Sequence, residues 1–255
     1  MAQVIMLGTG AALSDAKREN TYLVVQGASS SILVDCGGSP TQRLLAAGVP
    51  LESIDHVILT HHHPDHIYGL SVFLLDLWLA GRKRVLHIYG LAETLRAAQA
   101  MMRAFEWESW REHGFFPVEF HRVAKKGIEL IIVTPEFSVS ATPTKHLLPT
   151  IATRFVSTAS GKAIVYSSDT MVCESVVALA CDADVLFHEA TTVDEPNFGH
   201  SSARQAGEQA THAGVKQLVL VHLPPDGDVE QLRAAAASTF KGKVVVSKDF
   251  QRFKF

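Results

Sequence analysis

Apolar and polar positions come in short alternating runs from the start of the chain. Residues 4–7, 22–25 and 32–34 are aliphatic, β-branched or aromatic and are separated by Gly, Ser and Asn, which predicts strands joined by turns. Ser39 and Pro40, then Leu44 and Leu45 at helical spacing and a closing Gly48, predict a helix with an N-cap, a first-turn proline and a C-terminal glycine. Residues 57–59 read as a buried strand, 69–80 and 91–105 as helices, and 85–89 as the strand between them. From position 118 the pattern starts again. Strands are predicted at 128–133, 139–141, 151–156 and 163–166, then a helix at 174–180. Strands at 185–187, 218–221 and 244–246 then alternate with helices at 202–212 and 229–239. No Pro/Gly/Ser-rich linker divides these two sheet-then-helix halves. The expectation is one α/β domain, residues 1–255, in which two sheets pack face to face with helices outside, a four-layer αββα sandwich.

Composition narrows the function classes. With 47% hydrophobic and 19% charged residues, the 255-residue chain has the profile of a folded, enzyme-sized protein with a sizeable core. The formal charge of −3 leaves no overall cationic field to gather nucleic acid, so any polyanion site must be local. Three cysteines, Cys36, Cys173 and Cys181, have no metal-type spacing and are too few for a disulfide framework, so the expected compartment is the reducing cytoplasm. The N-terminus lacks the features of an export signal, and the most apolar stretch, 69–80, is short and broken by Asp76. No membrane association is expected.

Thirteen histidines stand out, and their positions matter most. Thr60-His61-His62-His63-Pro64-Asp65-His66 directly follows the predicted strand 57–59 and places His61, His63, Asp65 and His66 on one tight turn. Two imidazoles two residues apart can converge on one metal while Asp65 and His66 point at a second site. Imidazole and carboxylate donors without thiolates suit zinc, and also manganese or iron. Three later strands also end in a metal-competent residue: 163–166 leads to Asp169, 185–187 to His188 and Glu189, and 218–221 to His222. His146 follows strand 139–141 and would complete a three-histidine set with His61 and His63. Gly8-Thr9-Gly10 lacks the third glycine and later acid of a dinucleotide fingerprint, so no nucleotide cofactor is expected.

With these residues, Leu7-Gly8-Thr9-Gly10, Leu33-Val34-Asp35-Cys36-Gly37, His188-Glu189-Ala190-Thr191 and Gly199-His200-Ser201, nearly the whole chain resembles the metallo-β-lactamase superfamily, and within it the ribonuclease Z-like branch. The resemblance implies that His61, His63 and His146 bind one divalent ion, that Asp65, His66 and His222 bind a second, and that Asp169 bridges them. Zinc is the first expectation for both ions. Asp35 would orient the ligand loop, although a plain turn role before Gly37 and Gly38 fits as well. His62 and His188 are left out of the site as neighbours facing elsewhere. Trp107, Trp110, Phe115, Phe116 and Phe120 read as core or dimer packing before a substrate lid. The branch also implies a homodimer.

A dinuclear centre of this kind supplies an acidified water and polarises a substrate oxygen. Asp65 could orient that water, and His200, paired with Glu189, suits protonation of a poor leaving group. The catalytic expectation is therefore Asp65, Glu189 and His200 in a metal-dependent phosphodiesterase. Ribonuclease Z enzymes generally carry a long basic arm for tRNA, often between the third histidine and the bridging aspartate. Only 22 residues separate His146 from Asp169, and Lys125 and Lys126 make no patch. The expected substrate is a small-molecule phosphodiester, such as a cyclic nucleotide, or a short nucleic acid. The alternatives are hydrolysis of a lactone, thioester, β-lactam or sulfate ester on the same metals, and a non-catalytic, metal-stabilised binding module.

Overall fold

Alternation along each strand sends successive side chains to two different apolar layers, and this determines how the chain stacks. The computed structural model describes residues 2–13 and 15–255. The first sheet is built from β1 (Gln3–Gly8), β2 (Tyr22–Gln26), β3 (Ser31–Val34), β4 (Ile54–Leu59), β5 (Leu86–Gly90) and β6 (Val118–Arg122). The second contains β7 (Glu129–Val133), β8 (Phe137–Pro143), β9 (Ile151–Ser157), β10 (Ala163–Tyr166), β11 (Val185–Glu189), β12 (Gln217–Val221) and β13 (Lys243–Val246). A last strand, β14 (Arg252–Lys254), returns to pair antiparallel with β1, so each sheet has seven strands.

Val4, Met6, Leu23 and Val25 of the first sheet meet Phe137, Phe155, Ile164 and Phe187 of the second in the layer between the sheets. Their neighbours Ile5, Leu7, Tyr22 and Val24 face outward. They pack under α1 (Pro40–Ala46), α3 (Leu70–Leu79) and α4 (Ala92–Ala104) through Leu44, Phe73, Leu74, Leu95 and Met102. On the far side Val165, Leu186, Leu218 and Leu220 pack under α6 (Glu174–Ala180), α7 (Ala203–His212) and α8 (Val229–Thr239). Helix, sheet, sheet and helix form the expected four layers. Among the described residues, no helix is long and apolar enough to cross a membrane.

Local chemistry places the helix starts. Ser202 and Gln205 form a reciprocal capping box on α7, and Asp228 caps α8. Ser39 occupies the N-cap of α1 as expected, but its side chain makes no capping bond; Pro40 supplies the preset first turn. The aromatic region 105–120, which includes α5 (Trp107–Trp110), is largely core, although Phe105 is exposed. Trp107, Phe115 and Phe116 are buried in the outer layer of the first sheet, and Trp78 stacks on Trp110 at 5.6 Å between ring centres. The strands β6 and β14 were not expected from the sequence pattern. β6 has polar residues on one face, and β14 is three residues long.

The feature that positions the site is parallel pairing. β3 and β4 run parallel in one sheet, and β10, β11 and β12 run parallel in the other. Because β8 and β10 both flank β9 antiparallel, β8 points the same way as β10. The carboxyl ends of all these strands therefore open on one edge of the sandwich, the usual place for a site in such sheets.

Glu136 ties the two sheets together. Its carboxylate accepts from the backbone N–H of Ala28 and Ser29 and from both the N–H (2.9 Å) and hydroxyl (2.7 Å) of Ser30, in the β2–β3 turn. Desolvation opposes ionisation, but these donors outweigh it and hold the carboxyl at about 2, below the usual glutamate range. A depressed folded-state value means that the contribution is present above the unfolded value, near 4.3, and is lost as pH falls through the folded one. Urea melts between pH 5 and pH 2 should show wild-type stability falling more steeply than that of Glu136→Gln. Parallel curves would show that this contact contributes nothing.

Candidate metal centre

Each candidate ligand sits just past a strand end. β3 is followed by Asp35, β4 by Thr60 and His61, β8 by His146, β10 by Asp169, and β12 by His222, while Glu189 is the last residue of β11. The histidine segment is extended through His63 and then turns into a one-turn helix, α2 (Pro64–Ile67), which starts at Pro64 and turns Asp65 and His66 inward. Asp35, Ser168 and His222 have φ of 64°, 52° and 53°. Backbone in this left-handed region is costly for non-glycine residues, about 1–3 kcal/mol each, and tends to concentrate at functional sites. The chain reverses sharply at the ends of β3, β10 and β12, and the Asp35, Asp169 and His222 side chains gather at one cluster.

The donor atoms form two groups. In the first, His61 Nε2 and His146 Nε2 lie 3.0 and 3.1 Å from His63 Nδ1, and 3.7 and 3.8 Å from Asp169 Oδ2. In the second, Asp65 Oδ2 lies 3.3 Å from His66 Nε2 and 3.6 Å from His222 Nε2. Asp169 joins them, with Oδ1 3.5 Å from His66 Nε2 and Oδ2 3.5 Å from His222 Nε2. Donors around a tetrahedral zinc at ~2.0–2.2 Å stand roughly 3.3–3.5 Å apart. These spacings bracket that value. His66 Nε2, His222 Nε2 and Asp169 Oδ1 are buried and lack hydrogen-bond partners, so they present free lone pairs or protons to the space a cation would fill. The residues fit a pair of divalent ions.

Supporting contacts fix the rings. Asp35, fully buried, accepts from Thr60 N (2.7 Å), Thr60 Oγ1 (2.9 Å) and His66 Nδ1 (2.8 Å), which leaves His66 Nε2 facing the cluster. The Gly199 carbonyl accepts from His146 Nδ1 at 2.7 Å. Thr60 and Gly199 were not anticipated as ring-positioning groups: a backbone carbonyl leaves no residue-type signature. Gly37 lets the loop close, since a Cβ there would lie 2.2 Å from the Asp65 carbonyl oxygen.

Electrostatics match the first group; at His66 desolvation is outweighed by Asp169 and Asp35, which hold the ring above the usual histidine range. Desolvation holds His61, His63 and His146 below the usual histidine range, helped by His66 at His61 and by His146 at His63, so the rings are neutral as ligation requires. Burial alone would raise Asp65 and Asp169, but His222 and His66 hold both carboxyls low. Asp35 is pushed up by desolvation, against the pull of His66. His200 Nδ1 lies 3.0 Å from Glu189 Oε1, which also accepts from Thr170 N at 2.9 Å, and 4.0 Å from Asp169 Oδ2. Desolvation and nearby Asp169 push the Glu189 carboxyl up. His188 is a core residue, bonded to its neighbour's carbonyl and to Gln209, and His62 joins none of the clusters among the described residues.

Comparisons with known proteins give the family. A family model described as "Anti-Pycsar protein Apyc1" matches residues 2–241. A ribonuclease Z of Mycobacterium bovis (strain BCG / Pasteur 1173P2) is 33% identical over 279 aligned residues, covering 99% of this chain and 98% of the relative. A ribonuclease Z of Mycolicibacterium gilvum (strain PYR-GCK) is 32% identical, with 99% and 96% covered. The chain belongs to the Anti-Pycsar Apyc1 family and to the ribonuclease Z-like branch of the metallo-β-lactamase superfamily. Among solved structures, the metallo-β-lactamase fold protein YhfI of Bacillus subtilis superposes with a TM-score of 0.83 at 24% identity, covering 99% of this chain and 98% of that one. The short form of human tRNase Z gives 0.77 at 23%, with the same coverage, and a diphosphatase of the PhnP family gives 0.77 at 19%, covering 100% and 98%. These likenesses carry the fold; members of this superfamily use a dinuclear divalent metal site.

Asp35→Asn should keep the fold, because Asn tolerates a positive φ, but it replaces an acceptor of the His66 proton with an amide. Divalent ion affinity measured by competition with a chromogenic chelator should fall roughly 10- to 100-fold. Unchanged affinity would assign Asp35 to loop structure alone.

Proposed function

We propose that this protein is a dinuclear metal-dependent phosphodiesterase acting on a small phosphodiester, such as a cyclic nucleotide or a short oligonucleotide. His61, His63, His146 and Asp169 would hold one ion, and Asp65, His66, His222 and Asp169 the other, with zinc as the resident metal. The observation that carries the reading is His200, whose Nδ1 is held by Glu189 beside the Asp169 shared by both groups. That contact leaves Nε2 to deliver a proton.

Bound divalent ions would supply Lewis acidity toward a phosphoryl oxygen and an acidified water. The chain's own residues do the rest. Asp65, anchored through Oδ2 by His66 and His222, has a second carboxylate oxygen to orient the attacking water. As water adds to phosphorus and the bond to the leaving oxygen breaks, His200 gives that oxygen its proton, and Glu189, 3.0 Å from Nδ1, keeps the ring oriented for the transfer. Acyl transfer to a good leaving group needs no such donor. The names of the curated relatives, ribonuclease Z, support phosphodiester chemistry.

What flanks the ligands bears on substrate size. The stretch between His146 and Asp169 is taken up by a turn and the β9–β10 hairpin. Tyr68, Leu147, Val172 and Phe198 remain exposed, although each lies within three residues of His66, His146, Asp169 or His200. Phe198 is 85% exposed. Exposed apolar and aromatic side chains so near the ligands in sequence suit a nucleobase better than a polyanionic backbone. Cytoplasmic residence, which free Cys36, Cys173 and Cys181 favour, and a homodimer, which the family resemblance implies, belong to the same proposal.

His63→Ala should abolish turnover and lower metal content. His200→Ala should keep the ions and lose rate, roughly 10²- to 10⁴-fold, most severely with poor leaving groups. Equal losses on good and poor leaving groups would remove the acid role. Phe198→Ala should raise KM for a nucleotide roughly fivefold or more, with little change in kcat. The deciding experiment is hydrolysis of cyclic nucleotides, aryl phosphodiesters, lactones and sulfate esters by one zinc-loaded preparation. Turnover of a lactone or sulfate ester with the phosphodiesters untouched would overturn the reading.

A further inference from the structure

A second constellation of imidazole and carboxylate groups lies on β5 and β6, strands that contribute nothing to the centre described above. His87 is paired in register with His56 of β4 and with Glu119 of β6, and Tyr89 with His121. Leu86 and Ile88 point into the outer layer of the first sheet, so His87, Glu119 and His121 share the face turned toward the second sheet. β6 is the edge strand, and this face therefore opens to solvent: Glu119 is exposed and the two histidines are half-buried.

The donor atoms form a tight triangle. His87 Nδ1 lies 3.0 Å from His121 Nε2 and 3.4 Å from Glu119 Oε2, and His121 Nε2 lies 3.7 Å from the same oxygen. The edges at the main centre are 3.0, 3.1, 3.7 and 3.8 Å, and both sets bracket the roughly 3.3–3.5 Å spacing of donors on a tetrahedral zinc. Ring packing holds the imidazole planes. His56 stacks on His87 at 5.3 Å and Tyr89 on His121 at 4.6 Å. An isolated surface pair of histidines would have no such support.

We propose that His87, Glu119 and His121 form a separate binding site for a zinc-class divalent ion, with two imidazoles and one carboxylate as ligands and the remaining position open to solvent. Nickel and copper, which precede zinc in the first-row series, suit the same donors. The ion would cross-link β5 to the edge strand β6 and so stiffen the open side of the sandwich.

The test is equilibrium dialysis of wild type, His121→Asn and Glu119→Gln against micromolar free zinc, followed by metal analysis and circular dichroism. Wild type should hold one zinc per chain more than either variant, and all three should give the same far-ultraviolet spectrum. Two variants guard against a local folding defect in one of them. Equal zinc content in all three folded proteins would overturn the site. A His63→Ala chain, impaired at the main centre, should still lose one zinc per chain when His121→Asn is added, so failure here and failure of the phosphodiesterase reading are separable.

Discussion

Six imidazoles and four carboxylates gather at one edge of this molecule, and seven of the ten are buried. His61, His66, Asp35, Asp169 and Glu189 are essentially without solvent contact, and several of their polar atoms meet no partner. Unpaired buried polar atoms are expensive, commonly about 1–3 kcal/mol each and more for charged groups. A fold would not retain such a concentration unless something else satisfied it. Cations do so in a single stroke, because each accepts several lone pairs at once and offsets the carboxylate charge. The architecture around the cluster follows from the need to hold donors from four separate strand ends, those of β4, β8, β10 and β12, within about one metal–ligand geometry.

Parallel strand direction meets that need. A βαβ connection returns the chain to the same end of the sheet, so successive crossovers deliver Asp35, His61, Asp169, Glu189 and His222 to one edge without long loops. The carrier segments can be short and tight, and the positive φ at Asp35, Ser168 and His222 shows how tightly each turns. Donor positions are then set by the registers β3–β4, β10–β11 and β11–β12, which the apolar layers on both faces hold against slippage.

Much of this was legible in the sequence because each strongly apolar strand ends abruptly in a metal-competent residue. The strands with both faces buried, such as β10 and β12, are short continuous apolar runs. Legibility failed where burial is one-sided or slight. β6 reads Val-Glu-Phe-His-Arg; its inward positions carry Glu119 and His121 where an apolar pattern would be sought. β14 offers only Phe253 as a buried side chain, and its strand state comes from pairing with β1. The ring-positioning role of Gly199 was invisible for a different reason, since it acts through its carbonyl.

The polar face of β6 also bears on how the sandwich closes. Edge strands are a liability, because their free backbone groups can template pairing with another chain, and charged or polar side chains on them are a usual defence. Glu119 alone would serve that purpose. It does not account for His87 and His56, which lie one and two strands inward and are partly buried. Placing imidazoles in the layer between two sheets forfeits apolar contact at each position, at a cost of the order of 1 kcal/mol or more. Edge protection gains nothing from those inner positions. A donor set converging on one point does require His87, since β6 by itself can bring only Glu119 and His121 together and the third donor must come from the neighbouring strand; His56 stacks behind that donor at 5.3 Å.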